Sequence, residues 1–256
     1  MKKIILLLSL GCFTLAVIIF FLILPKKPEK VLLPVLSPHI YDDTRESIKN
    51  IHITIFYFVP KNMVAKKIDN WTLVTEGAFK ELSTFHSTQF LNTSTITYSF
   101  FPKVIIGTQT SQVYEPTVNE DSPDALTLIE AEIKERVYSK EGDLYDASFL
   151  TTRGNTKELS IILFEGEGGA GKKAYGLVSR SYLTDKEFSM YGSTILAHEF
   201  YHTLGVPDNY QKSMYVYDNA QQKVISLIKN GNIMGRIDRP LVESYLDKET
   251  LIKMGL

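Results

Sequence analysis

Read only as apolar and polar positions, the chain opens with a long apolar run, Ile4 to Leu24, that contains no charged residue. As a helix its 21 residues would span about 30 Å, the thickness of a bilayer core. Pro25-Lys26-Lys27 ends it. A cleaved signal peptide has a shorter apolar region and a small-residue cleavage site, so residues 1–30 are expected to be an uncleaved membrane anchor. Leu8-Ser-Leu-Gly-Cys12 has the flavour of a lipoprotein cleavage box, but the apolar run continues well past Cys12. Pro28, Pro34 and Pro38 then stand among many charges, which predicts a linker over 31–50.

From residue 51 the pattern is that of a folded domain, 51–256. Ile51 to Val59 alternates, with Ile51, Ile53, Ile55 and Tyr57 on one face, and reads as a strand that leaves His52 on the outer face beside Thr54. Thr75 to Leu91 carries Phe79, Leu82, Phe85 and His86 at helical spacing, which puts His86 at the border of the core. Thr95 to Phe101 alternates again as a second strand. Pro123 suits a helix start, and Leu126, Ile129, Ile133 and Val137 form one apolar stripe behind it. Leu159 to Phe164 is continuously apolar, as a buried central strand is.

The segment that follows, Gly166-Glu-Gly-Gly-Ala-Gly171-Lys172-Lys173, fits GxGxxG and most of a phosphate-binding loop. Lys173 stands where such a loop needs Ser or Thr, and Ala174 to Leu183 has the pattern of a strand rather than of a phosphate-capping helix. A flexible glycine-rich loop before an edge strand is the simpler expectation. Beyond it a helix is predicted over Ser193 to Leu204, anchored by Leu196, Phe200 and Leu204, and Pro240 to Met254 is predicted helical in two pieces with Gly255 as its stop. The stretch 209–230 is rich in tyrosine and polar residues and is expected to form one lip of a cleft.

Composition changes this picture little. The chain has 256 residues, 44% of them hydrophobic and 22% charged, an ordinary globular balance with a formal net charge of -1. That charge gives no reason to expect nucleic acid as a partner. Cys12 is the single cysteine, so disulfides and thiolate ligands are excluded from the folded part.

The chemistry concentrates in His198-Glu-Phe-Tyr-His202-Thr-Leu-Gly205-Val-Pro-Asp208. On a helix His198 and His202 leave the same face one turn apart and can converge on one cation. Glu199 lies about 100° around the helix, beside the metal rather than on it. Gly205 can end the helix in the left-handed region and turn the chain back so that Asp208 faces the histidines. No histidine follows His202, so a third ligand further along must be a carboxylate.

These residues resemble the metzincin clan of zinc metallopeptidases, whose pattern is HExxHxxGxx followed by a third ligand. Asn232-Ile-Met234-Gly looks like the clan's methionine turn. Asp208 departs from the usual histidine and is similar to the snapalysin-type branch. The resemblance spans about 40 residues, His198 to Gly235. It implies an α+β catalytic domain, a twisted mixed sheet with helices and a small irregular C-terminal lobe. It also implies Zn2+ held by His198, His202 and Asp208, Glu199 as general base, Gly205 and Met234 as structural residues at the site, and an edge strand that pairs with the substrate backbone. Zinc-dependent endopeptidase activity on a protein or peptide substrate is the expectation. Related peptidases are exported, which favours a catalytic domain outside the membrane, since Lys2 and Lys3 against Lys26, Lys27 and Lys30 nearly balance.

Three alternatives stay open at this level. Glu243, with Asp247 four residues on, resembles the Glu-x-x-x-Asp helix by which thermolysin-like enzymes supply a third ligand. A membrane-anchored binding protein on an inactive protease scaffold would keep the ligands without turnover. A second stabiliser of the oxyanion is not chosen among Tyr201, Tyr210, Tyr215 and Tyr217, because Arg236 stands where some metzincins have tyrosine.

Overall fold

The computed structural model describes residues 35–114, 125–150, 153–209 and 231–256, and the backbone of two further strands. In chain order these form a hairpin of β1 (His39–Ile40) and β2 (Asp43–Ser47), then β3 (Asn50–Val59), helix α1 (Trp71–Gln89), β4 (Thr95–Phe100) and β5 (Ile105–Ile106). Two helices follow, α2 (Ser111–Tyr114) and α3 (Ala125–Ile133), then β6 (Lys157–Phe164), β7 (Gly169–Lys172) and β8 (Tyr175–Ser179). Helices α4 (Arg180–Thr184) and α5 (Gly192–Thr203), strands β9 (Tyr215–Asp218) and β10 (Lys223–Ser226), and helix α6 (Lys248–Lys253) complete the described strands and α-helices. The expected anchor at 4–24, the helix start at Pro123 and most of the tyrosine-rich stretch lie outside the described residues. Among the described residues no helix is long and apolar enough to cross a membrane.

The fold is a mixed sheet with helices on both faces. Its strand order is β4-β3-β6-β8-β7, with β5 also on β3; all pairings are parallel except β7 on β8. Period-2 alternation explains the layers. Ile51, Ile53, Ile55, Tyr57 and Val59 of β3 join Leu159, Ile161 and Leu163 of β6 in one core with α1 and α5. The intervening Phe56, Phe58, Ile162 and Phe164 join Leu126, Ile129, Ile133 and Val137 in a second core on the opposite face. Helix α1 buries Trp71, Thr75, Phe79, Leu82, Phe85 and His86 along one stripe. The C-terminal residues Ile233, Met234, Leu241, Leu246 and Met254 share the first core. They are held by a 3-10 turn (Leu241–Glu243), by α6 and by a single bridge between Asn232 and Tyr245.

Three expectations need correction. His52 is not on the surface: it is 4% exposed, because β3 lies between β4 and β6 and both its faces are covered. Its Nδ1 and Nε2 lie 2.9 Å from Thr97 Oγ1 and Ser99 Oγ. The glycine-rich segment is not a loop before the edge strand. Its second half is the edge strand, β7, and β8 lies inside it. The linker over 31–50 is folded in its second half, where Ile40 and Ile48 are fully buried in the main core. There the Tyr41 amide donates to Leu204 O at 3.0 Å and the His39 amide to Met254 O at 3.0 Å.

Candidate metal centre

Helix α5 is buried for most of its length, and Leu196 and Phe200 fix it in the main core. It ends as the sequence suggests. Gly205 has φ of 84°, its amide donates to His202 O at 3.0 Å, and the Val206 amide donates to Tyr201 O at 3.2 Å. These two bonds are the Schellman pattern, in which a left-handed residue lets the chain reverse and satisfies the last carbonyls. A side chain at 205 would be strained by its φ and would also press on the Asp42 carboxylate, 2.7 Å from where its Cβ would lie.

The reversal brings Asp208 back to the helix. His198 Nε2 and His202 Nε2 are 3.0 Å apart, and Asp208 Oδ1 lies 3.2 Å from the first and 3.3 Å from the second. These three residues form the only group of potential ligands among the described residues whose atoms gather in this way, all within 4.8 Å of one another.

The rings are oriented from behind. His198 Nδ1 donates to Ile233 O at 2.9 Å and His202 Nδ1 donates to Val206 O at 2.8 Å. With the proton fixed on Nδ1, a neutral ring carries its lone pair on Nε2. Burial, the largest influence, and the neighbouring His202 both push the His198 pKa down, against the raising effect of the Ile233 carbonyl bond and Asp208. Two Nε2 lone pairs and a carboxylate oxygen therefore face one another, a donor set that suits a divalent cation such as zinc.

Glu199 is 7% exposed. Burial, and secondarily the charge of Asp208, push its pKa up to about 8; a cation at the three ligands would oppose both effects. Among the described residues no hydrogen bond holds its carboxylate, which rests against Gly169 of β7.

The Asn232-Ile-Met-Gly turn lies behind His198. Met234 is fully buried, its carbonyl accepts the Asn209 amide at 2.8 Å, and its own amide donates to Asn232 Oδ1 at 3.2 Å. Asp247 holds this arrangement, accepting from Asn232 Nδ2 at 2.6 Å, Asn209 Nδ2 at 3.2 Å and the Thr250 amide at 2.7 Å. The sequence reading had no such role for Asp247. Its only signal was an aspartate at the N-cap of the last helix.

The alternatives fare differently. Glu243 is exposed on its 3-10 turn and stands outside the ligand cluster, while Asp247 serves as clamp and cap rather than as support for it. Tyr201 is fully buried with its hydroxyl on His86 Nδ1 at 3.1 Å, so it is not poised to meet an oxyanion. Tyr210 and the side chains of Tyr215 and Tyr217 lie outside the described residues. The nucleotide reading fails on β7 itself, where Lys172 pairs with Glu130 at 2.6 Å and Thr127 at 2.9 Å.

No family model matches the sequence, and no curated protein matches it. Among solved structures the chain is similar to a zinc-dependent peptidase from Methanocorpusculum labreanum, at 12% identity and TM-score 0.37 over 78% of this chain and 99% of that one. It is also similar to metalloproteinase-II from Bacteroides fragilis, at 13% identity and TM-score 0.41 over 90% of this chain and 57% of that one. At such identities and scores the function of either protein does not carry over to this one.

Proposed function

We propose that this chain is a zinc-dependent endopeptidase of the metzincin type, with His198, His202 and Asp208 as ligands and Glu199 as general base. The observation that carries this reading is the facing pair of Nε2 atoms with a carboxylate beside them. Each imidazole is fixed by a carbonyl at its other nitrogen. Two neutral rings in that tautomer cannot hydrogen-bond to each other, and a cation satisfies both.

Bound zinc would supply Lewis acidity toward a peptide carbonyl and lower the pKa of an attacking water. The residues do the rest. Glu199 is one helical step from His198 and is largely shielded from solvent; it would take the proton of the water and pass it to the leaving amine. Burial and the Asp208 charge raise its pKa and a bound cation would lower it, so the two influences oppose each other at this carboxylate. Met234 and Asp247 reach no reacting atom; they hold the turn whose Ile233 carbonyl orients His198.

The test is metal content of the purified protein together with cleavage of casein or a quenched peptide, before and after chelation. Glu199→Gln is expected to keep stoichiometric zinc and lose activity by roughly three orders of magnitude or more, since it removes only the base. Asp208→Ala is expected to lose zinc and activity together, and Glu243→Ala to lose neither. Zinc retained in Asp208→Ala but lost in Glu243→Ala would replace this ligand set by the thermolysin-like one. Zinc binding without turnover would identify an inactive scaffold.

A further inference from the structure

We infer that Gly169 is a positioning residue for Glu199: the bare Cα at 169 leaves the room in which the carboxylate takes its place. The inference rests on the peptidase reading above. A methyl group placed on Gly169 would lie 2.7 Å from Glu199 Oε1, 3.2 Å from its Cδ and 3.4 Å from its Cγ. Ordinary van der Waals contact begins near 3.4 Å, so the carboxylate and an alanine at 169 overlap by 0.7 Å.

Which partner would yield follows from how each is held. The backbone ahead of Gly169 is tied on several sides. Glu165, where β6 ends, accepts from Tyr57 Oη at 2.5 Å and from Arg180 Nε and Nη2 at 3.0 and 2.5 Å. Ser179 Oγ donates to Gly166 O at 2.5 Å, and the Ser179 amide to Gly168 O at 2.9 Å. Gly169 itself is registered against Val178 of β8. The Glu199 carboxylate is the far end of a flexible side chain, and among the described residues no hydrogen bond restrains it. The carboxylate therefore moves and the strand stays.

Gly171 differs in kind. Its methyl would run into His202 Cβ and lie 2.7 Å from Glu199 O, so helix and strand would have to part. Gly169 does not have positive φ, and the three nearest atoms an alanine there would meet all belong to the base. The effect on catalysis is separable from any effect on the fold.

The experiment compares the native protein with Gly169→Ala and with Gly77→Ala, whose added methyl on α1 meets nothing within 4 Å. Zinc stoichiometry, melting temperature, KM and kcat are measured for each, and the crystal structure of Gly169→Ala is determined. The expected result is native zinc content, native melting temperature and KM within about twofold, with kcat reduced roughly ten- to hundredfold, as for a misplacement of this size at a reacting centre. The Glu199 carboxylate should be displaced in the crystal while His198 and His202 keep their places. Gly77→Ala should keep native kcat. An unchanged kcat in Gly169→Ala overturns the inference, as does loss of zinc or of folding along with activity, or a crystal in which β7 moves and the carboxylate does not. A native protein that binds no zinc and cleaves nothing overturns the peptidase reading instead.

Discussion

Among single residues, His86 links helix α5 to the rest of the core. It is fully buried, with Nε2 2.7 Å from Ser94 Oγ and Nδ1 3.1 Å from Tyr201 Oη. Ser94 donates its hydroxyl to Ile48 O, so His86 must donate from Nε2 and accept from the Tyr201 hydroxyl at Nδ1, as a neutral ring does. Burial drives its pKa down to about 3, against about 6.5 in an unfolded chain. The sign follows. Above about pH 6.5 both states are neutral there and the histidine contributes no pH dependence. As pH falls from about 6.5 toward 3, only the unfolded chain takes up the proton, and stability drops by up to roughly 1.4 kcal/mol per pH unit. His52, held down to about 4 by burial and by the Arg153 charge, adds in the same direction. Urea midpoints at pH 7, 5.5 and 4 should decline steadily, and His86→Gln should flatten the decline at some cost at pH 7. A native midpoint constant over that range would contradict the neutral buried histidine. The sequence pattern placed both histidines too far out. Period-2 alternation tells which residues share a face of β3, not whether a second layer covers the other face. Phe56 and Phe58 on the even face, between His52 and the strand end, were the available hint.

Among elements, the join between β6 and α4 shows what a local pattern cannot reveal. Glu165 and Arg180 are 4% and 14% exposed in their side chains and meet through two hydrogen bonds, yet they lie on segments separated by β7 and β8. Removing one member of a buried pair leaves the other charge uncompensated. Glu165→Ala should therefore cost about 3–5 kcal/mol in chemical denaturation. Asp43→Ala, which breaks an ion pair with an Arg45 side chain 88% exposed, should leave the midpoint where it was. The apolar stripes of α1 and α3 were legible because each has a single buried face. The glycine-rich segment was not. Its sequence says only that side chains are missing, and the reason is supplied by α5 packing directly beneath it. In the same way, HExxH and Gly205 were legible as local helical and capping patterns, while the clamp formed by Asp247, Asn232 and Asn209 depends on chain reversals that no local spacing encodes.

At the scale of the whole molecule, residues 36–256 form one compact unit whose two cores lie on opposite faces of a single sheet. The proposed ligands bridge α5 and the chain beyond Gly205, so a bound cation would tie the helix to the turn behind it. A metal held at 100 to 1,000 times its dissociation constant would add about 2.7–4.1 kcal/mol, or roughly 5–15 °C in melting temperature for a chain of this size. Calorimetry with and without a chelator measures this directly. The native protein should shift and Asp208→Ala should not; equal melting temperatures for the native protein in both conditions would argue against a resident metal. The hydrogen bonds from Tyr41 to Leu204 and from His39 to Met254 carry a further consequence for the order in which the site is made. A nascent chain that has emitted the HExxH helix has the Val206 carbonyl to aim His202, but it still lacks Ile233 to aim His198 and Met254 to pin the first hairpin. The motif is translated well before its geometry is complete, since the carbonyl that aims His198 belongs to a residue made 35 positions later.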